Sequence, residues 1–305
     1  MVTSATALKI SLGCMPFGEE GLEGVRVHSV NAVAEIVGIF QKHGHVELDT
    51  AYAYAGGTSE AFLGALEPSI EERGLRVSTK SLPGRNRTTP FEETFKATDE
   101  LFKEGKFARL GISNYMSWEV AEIVMLCRSK NWVQPTIYQG IYNAIHRAVE
   151  PELFPCLRKF GLSFYSYNAL GGGFFTGKYS SPNVLLDNGT LFDASAHGNQ
   201  AQIYLKRYWN EEYFKALAVV RRALEQRRGS GKEKLTLTEA ALRWISHHSA
   251  MKKEYGDCVI IGVSKAEYME ENLSGFEGGP LPEDVVKAID KAWDTVRPVV
   301  KQYWI

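Results

Sequence analysis

Residues 74–114 read GLRVSTKSLPGRNRTTPFEETFKATDELFKEGKFARLGISN, and they decide the class of fold. GLRVSTK (74–80) has the short, mostly apolar pattern of a strand, and FEETFKATDELFKEG (91–105) has helical spacing with a glycine stop. FARLGISN (107–114) returns to a strand. Strand, helix and strand in succession form one β–α–β step, which requires parallel strands with the helix lying across them. Working outwards, the same alternation fills the chain. Towards the N-terminus it predicts strands at 7–13 and 45–50 and helices at 30–44 and 59–66. Towards the C-terminus it predicts strands at 135–140, 162–170 and 257–263, with helices at 118–131, 151–161, 211–228, 239–248, 265–273 and 282–296. Short strands that are apolar throughout are buried on both faces, as in parallel sheets covered by helices. The looser stretches are 81–90 and 180–202, and neither divides the chain, so residues 1–305 form one domain. Polar groups recur at the C-terminal ends of the strands, where a (β/α)8 barrel builds its site, and this favours a barrel over an open sheet.

Composition sets broad limits. The 305 residues are 44% hydrophobic and 23% charged with a formal net charge of −1, so nothing selects for nucleic acid or an anionic membrane. Cys14, Cys127, Cys156 and Cys258 are scattered without short spacings. They read as reduced thiols of a cytoplasmic protein. The N-terminus lacks the basic and apolar blocks of a secretory signal, and no apolar run approaches the roughly 18 residues of a membrane span.

The strand ends collect Asp49 and Tyr54 (ELDTAYAYAGGTSE, 47–60), Lys80, Ser113 with Asn114, Gln139, and Tyr167 with Asn168. A lysine beside a phenol lowers the phenol pKa, and a carboxylate can hold that lysine in place. Such a tyrosine suits proton donation to a carbonyl oxygen that accepts a hydride. Singly, each residue has a bland reading as a solvated lysine or a packed ring. The set carries the argument.

Six segments in order resemble the aldo-keto reductases, and most of all the aflatoxin-aldehyde (succinic semialdehyde) reductase branch. They are ELDTAYAYAGGTSE, the STK ending at Lys80, GISNY (111–115), TIYQGIYN (136–143), FYSYNALGGGFFTGKY (164–179) and IIGVSKAEYMEENL (260–273). The resemblance implies an NADPH-dependent (β/α)8 TIM barrel that reduces an aldehyde or ketone with an Asp–Tyr–Lys–His tetrad. Carried across, Asp49, Tyr54 and Lys80 fall on the first three members. Ser113, Asn114 and Gln139 fall on the residues that hold the nicotinamide carboxamide, and Tyr167 on the ring that stacks against it. Asn168, Leu170, Gly172, Gly177 and Lys178 would follow the pyrophosphate. Gly262, Ser264, Lys265, Glu271 and Asn272 would surround the adenosine end, with Lys265 placed for a 2′-phosphate. Tyr303 and Trp304, and less strongly Arg207 and Tyr208, are candidate substrate contacts.

The fourth member, a histidine, has no counterpart. About 33 residues separate Lys80 from Ser113, whereas a barrel spending about 31 residues on each βα unit needs about two units there. A helix, a strand and the histidine are missing. His43, His45, His146 (read as a loop histidine), His247 and His248 are poorly placed to replace it. The shortfall reads as a truncated or mis-spliced product ahead of a degraded enzyme or a rearranged but working barrel. Loss of a strand exposes sheet edges unless the flanking strands pair directly, and 81–90 is expected to be the most mobile interior-facing segment. GGFFTGK (172–178) matches a phosphate-loop pattern but is followed by Tyr179 where Ser or Thr is required. No metal-ligand spacing occurs. The alternative function is an impaired NADPH-binding relative acting as a sensor or partner subunit, and a homodimer is left open.

Overall fold

The computed structural model describes residues 5–80, 89–183, 190–232 and 234–304. Seven strands alternate with helices: β1 (Lys9–Gly13), α1 (Val30–Lys42), β2 (Glu47–Asp49), α2 (Thr58–Gly64), β3 (Arg76–Ser78), α3 (Phe91–Lys103), β4 (Leu110–Ser113), α4 (Ser117–Lys130) and β5 (Pro135–Ile141). Then come α5 (Leu153–Phe160), β6 (Ser163–Tyr167), α6 (Ala194–Tyr208), α7 (Glu211–Gly229), α8 (Leu237–His247), β7 (Cys258–Ile261), α9 (Ala266–Glu277) and α10 (Glu283–Val296). Every pairing is parallel, and the order is β3-β2-β1-β7-β6-β5-β4. This is a barrel wall that stops one strand short of closing. β3 and β4 are its two edges, and among the described residues they do not pair with each other.

Local chemistry sets the element ends. Thr236 accepts from the Glu239 amide at 3.1 Å while Glu239 accepts from the Thr236 amide at 2.7 Å, a reciprocal cap that starts α8. Asn210 accepts from the Tyr213 amide and starts α7. Gly161, at φ 77°, ends α5 in the left-handed conformation that glycine adopts without strain. Between sheet and helices lies the main apolar core, which includes Leu12, Phe40, Leu48, Tyr138, Phe164 and Trp244. Inside the barrel the packing is sparser: Tyr165, Cys258 and Ile260 form a small separate cluster. The missing unit also shows outside the wall, where Val77 is 42% exposed because no helix among the described residues covers β3.

Two expectations are corrected. The stretch 180–202 is not all loose, since α6 begins at Ala194 and absorbs a kink at Gly198. Its inner face is held by aromatic packing that local spacing does not reveal: Tyr204 and Tyr208 lie against Phe192 and Phe174. His146 is no surface loop histidine but fully buried, and burial drives its pKa down to about 3. As the loss of a strand implies, β3 and β4 stay apart as sheet edges among the described residues. The expectation about the mobility of 81–90 falls largely on residues 81–88, outside the described residues. No helix among the described residues is long and apolar enough to cross a membrane.

Candidate active site

At the C-terminal ends of the strands opens a cavity of about 2170 Å³ that continues into the barrel interior. Its catalytic candidates come from neighbouring strands. Asp49 ends β2, Lys80 lies just beyond β3, and Tyr54 starts a short 3-10 turn, Tyr54–Gly57, after β2. Register in the β2–β3 pair sets Asp49 opposite Ser78, two residues before Lys80, so the two charged side chains converge. Lys80 Nζ donates to Asp49 Oδ2 and to the Thr50 carbonyl, both at 2.8 Å. The other carboxylate oxygen, Oδ1, accepts from Gln139 Nε2 at 2.8 Å. A buried carboxylate therefore has both oxygens engaged, as burial demands. Burial raises the Asp49 pKa, with Lys80 and Gln139 pulling the other way.

Lys80 Nζ lies 4.9 Å from the centre of the Tyr54 ring, over its face. The expected depression of the phenol pKa is not found. Burial, followed by the Asp49 charge, pushes Tyr54 well above the ordinary tyrosine value. Asp49 and the Thr50 carbonyl hold the ammonium at the ring, and desolvation of the phenolate outweighs what a cation there can supply.

Around this cluster the structure brings most of the other candidates together. Ser113, Asn114, Gln139, Tyr167, Asn168, Leu170, Gly172, Lys178, Gly262, Ser264, Lys265, Glu271 and Asn272 all line the same cavity. Gly177 does not; its carbonyl accepts from Arg221 at 2.9 Å. Tyr167 donates to Asn114 at 3.3 Å. The four predicted substrate contacts lie off the wall. Tyr303 is 2% exposed, donates to Glu152 at 2.5 Å and accepts from the Ser117 amide, so it pins the C-terminal tail to α4 and α5. Trp304 packs edge-on against it. Tyr208 is buried and accepts from Asn143 Nδ2 at 3.0 Å, while Arg207 stands among the phenols of Tyr204, Tyr208 and Tyr213.

Tyr204 and His28 are among the wall residues that were missed. Tyr204 in α6 donates to Asn168 Oδ1 at 2.9 Å, and no signal marked it because its helix was not foreseen. His28 is the histidine on the wall among the described residues; it stands 4.0 Å from Glu20 with its side chain 53% exposed.

The residues present fit a dinucleotide. Asn168 Nδ2 is buried without a hydrogen-bond partner beside the turn Gly171–Thr176. In that turn Gly172 has φ 67°, and a Cβ there would collide with the Tyr204 ring. Only glycine lets the backbone sit so close. Lys178 and Lys265 flank the Tyr268 ring, with Nζ 5.9 and 5.8 Å from its centre. Neither has an ion-pair partner among the described residues, so both cations are available to a phosphate.

The aldo/keto reductase family model matches residues 85–294. The chain belongs to the aldo-keto reductase family. An aldo-keto reductase of Pseudocercospora fijiensis is 43% identical over 301 positions, covering 87% of this chain and 98% of the relative. The human aflatoxin B1 aldehyde reductase member 2 is 41% identical over 309 positions, covering 90% and 85%. A solved structure, the glycerol dehydrogenase of Gluconobacter oxydans, superposes with a TM-score of 0.65 at 18% identity, covering 96% of this chain and 93% of the other. That likeness shows the fold, a TIM-type barrel. Aldo-keto reductases are carbonyl oxidoreductases that use nicotinamide cofactors. The 301 aligned positions exceed the 87% share of 305 residues by about 35, close to one βα unit of a barrel. The family match begins after Lys80, so Asp49, Tyr54 and Lys80 enter through the longer alignments with the relatives.

Proposed function

We propose that this aldo-keto reductase reduces an aldehyde or ketone to an alcohol with NADPH, acting on a small carbonyl compound in the cytoplasm. The observation that carries the reading is the Asp49–Lys80–Tyr54 cluster, built from adjacent strand ends and opening into the cavity. NADPH, when bound, supplies the hydride that the carbonyl carbon takes up. Tyr54 gives its phenolic proton to the carbonyl oxygen as negative charge develops there, which completes the alcohol. The raised pKa keeps that proton in place at neutral pH. Lys80 stabilises the phenolate left behind, and Asp49 holds Lys80 in position through its 2.8 Å bond. Lys265 and Lys178 favour a cofactor with an added phosphate, hence NADPH over NADH. The aldehyde named for the human relative supports aldehydes as the substrate class.

A second reading is an impaired NADPH-binding relative that serves as a sensor or partner subunit. The open edge between β3 and β4, where the tetrad histidine would arrive, favours it. Two measurements on the folded chain separate the readings: tryptophan quenching by NADPH, and NADPH-dependent reduction of 4-nitrobenzaldehyde. Binding with turnover supports the reductase, binding without turnover supports the second reading, and no saturable binding sinks both.

A further inference from the structure

We propose, resting on the NADPH reading, that Arg221 is a positioning residue for the cofactor: it holds the backbone on both sides of Lys178 and so turns that lysine to the dinucleotide phosphates. Arg221 stands on α7 and is not among the residues that line the cavity. Its Nη2 carries two N–H groups and directs both at one turn. It donates to the Gly177 carbonyl at 2.9 Å and to the Tyr179 carbonyl at 2.6 Å. One side chain thereby fixes the residue before Lys178 and the residue after it.

The turn between its anchors lies open. Phe175 is fully buried, and the Tyr179 ring packs edge-on against Phe192 and Trp209. Between them Thr176, Gly177 and Lys178 are exposed, and Gly177 takes a left-handed φ of 83°. Three alternate carbonyls face the helix layer. Phe175 accepts from Thr238 Oγ1 on α8 at 3.2 Å, and Gly177 and Tyr179 accept from Arg221. In a planar trans peptide the N–H points opposite to the carbonyl that precedes it. A Gly177 carbonyl aimed at α7 therefore aims the Lys178 amide away from α7.

The cavity lies on that other side. Thr176 and Lys178 line it, whereas Phe175 and Gly177 do not. Among the described residues nothing accepts from the Lys178 amide. Lys178 Nζ lies 5.9 Å from the centre of the Tyr268 ring, and Lys265 Nζ lies 5.8 Å from it. An ammonium and a backbone N–H from one residue, both on the cavity side, match the oxygens of a phosphate. Arg221 sets that presentation from behind and touches no part of the cofactor's space.

The test is a double-mutant cycle on NADPH affinity, read by tryptophan quenching without turnover. Arg221→Met and Lys178→Met should each weaken binding about tenfold, the scale of one charge-assisted hydrogen bond. The double variant should match Lys178→Met within about twofold, because Arg221 acts through that lysine. Arg222→Met removes an equal charge from an exposed position on the same helix and should change affinity by less than about twofold. Losses that add in the double variant, or an equal loss in Arg222→Met, would make Arg221 a source of charge only and overturn the proposal. Unchanged affinity in Arg221→Met would overturn it too, whatever the urea midpoint of that variant. Because a variant could misfold, hydrogen exchange on the unaltered chain gives a second readout. The Lys178 amide should exchange fast without cofactor and slow with NADPH; an amide already protected, or one that NADPH leaves unchanged, would count against the proposal as decisively. Absence of saturable quenching in the unaltered chain would sink the NADPH reading and this inference together, whereas failure of this inference alone leaves that binding intact.

Discussion

In the proposed reduction, Tyr54 is the residue on which the chemistry turns. There its hydroxyl acts on the developing alkoxide and not on the cofactor, so Tyr54→Phe should lower turnover by about 10²–10⁴ while leaving NADPH affinity near its original value. Stopped-flow reduction of 4-nitrobenzaldehyde beside fluorescence titration checks both halves, and retained turnover would show that another group supplies the proton. The candidate for that other group is His28, the histidine on the cavity wall. Its exposed position beside Glu20 is that of a solvated rim residue, so His28→Gln should keep kcat within about twofold, as surface polar changes do when they touch no reacting atom. A loss of 10²-fold or more would make His28 the stand-in for the missing tetrad histidine.

At the scale of elements, the C-terminal tail and the α1–α9 contact give separate predictions. Tyr303→Phe removes the bond to Glu152 and the acceptor for the Ser117 amide. It should cost about 1–3 kcal/mol in denaturant unfolding, because the partners are left wanting in a largely buried place. The KM for an aldehyde should be unchanged; a large rise would return the tail to the substrate pocket. His43 bridges α1 to α9 through Glu277 at 2.6 Å and Glu270 at 3.1 Å. Burial pulls its pKa down, yet the two carboxylates together prevail and raise it. A raised folded pKa means stability that is fully present below the unfolded value of about 6.5 and lost as pH rises through the folded value. Thermal midpoints of the chain and of His43→Gln should therefore converge towards pH 9 and separate towards pH 6. Parallel curves would remove the clasp.

For the molecule as a whole, a wall of seven strands has costs that a closed barrel avoids. Among the described residues, the edges at β3 and β4 leave main-chain groups without strand partners, and the interior cluster of Tyr165, Cys258 and Ile260 lies beside an open cavity. We expect lower stability than that of an intact relative and turnover lower by about 10²–10³, the usual cost of losing one positioned hydrogen-bond donor. Unfolding in urea and steady-state reduction, run side by side with the Pseudocercospora fijiensis reductase, measure both. Equal turnover would show that the missing histidine is not needed here.

Local pattern by itself determined the succession of elements, α6 excepted. Apolar runs such as DCVIIGV and spaced apolar residues such as those of VNAVAEIVGIFQK encode strand and helix within a few residues of themselves, and each lies where its spacing put it. It also marked Asp49 and Lys80, because a charge ending an apolar strand is visible in the chain. What only the tertiary structure decided depends on partners far along the sequence. Tyr303 and Tyr208 read as pocket residues, but Glu152 and Asn143 draw them into the packing. Tyr204 and His28 read as nothing and stand on the wall. Whether β3 and β4 would meet across the deletion was equally hidden. Strand pairing is a contest among edges brought together in space, and closing this barrel would require the rest of the wall to narrow around a packed interior.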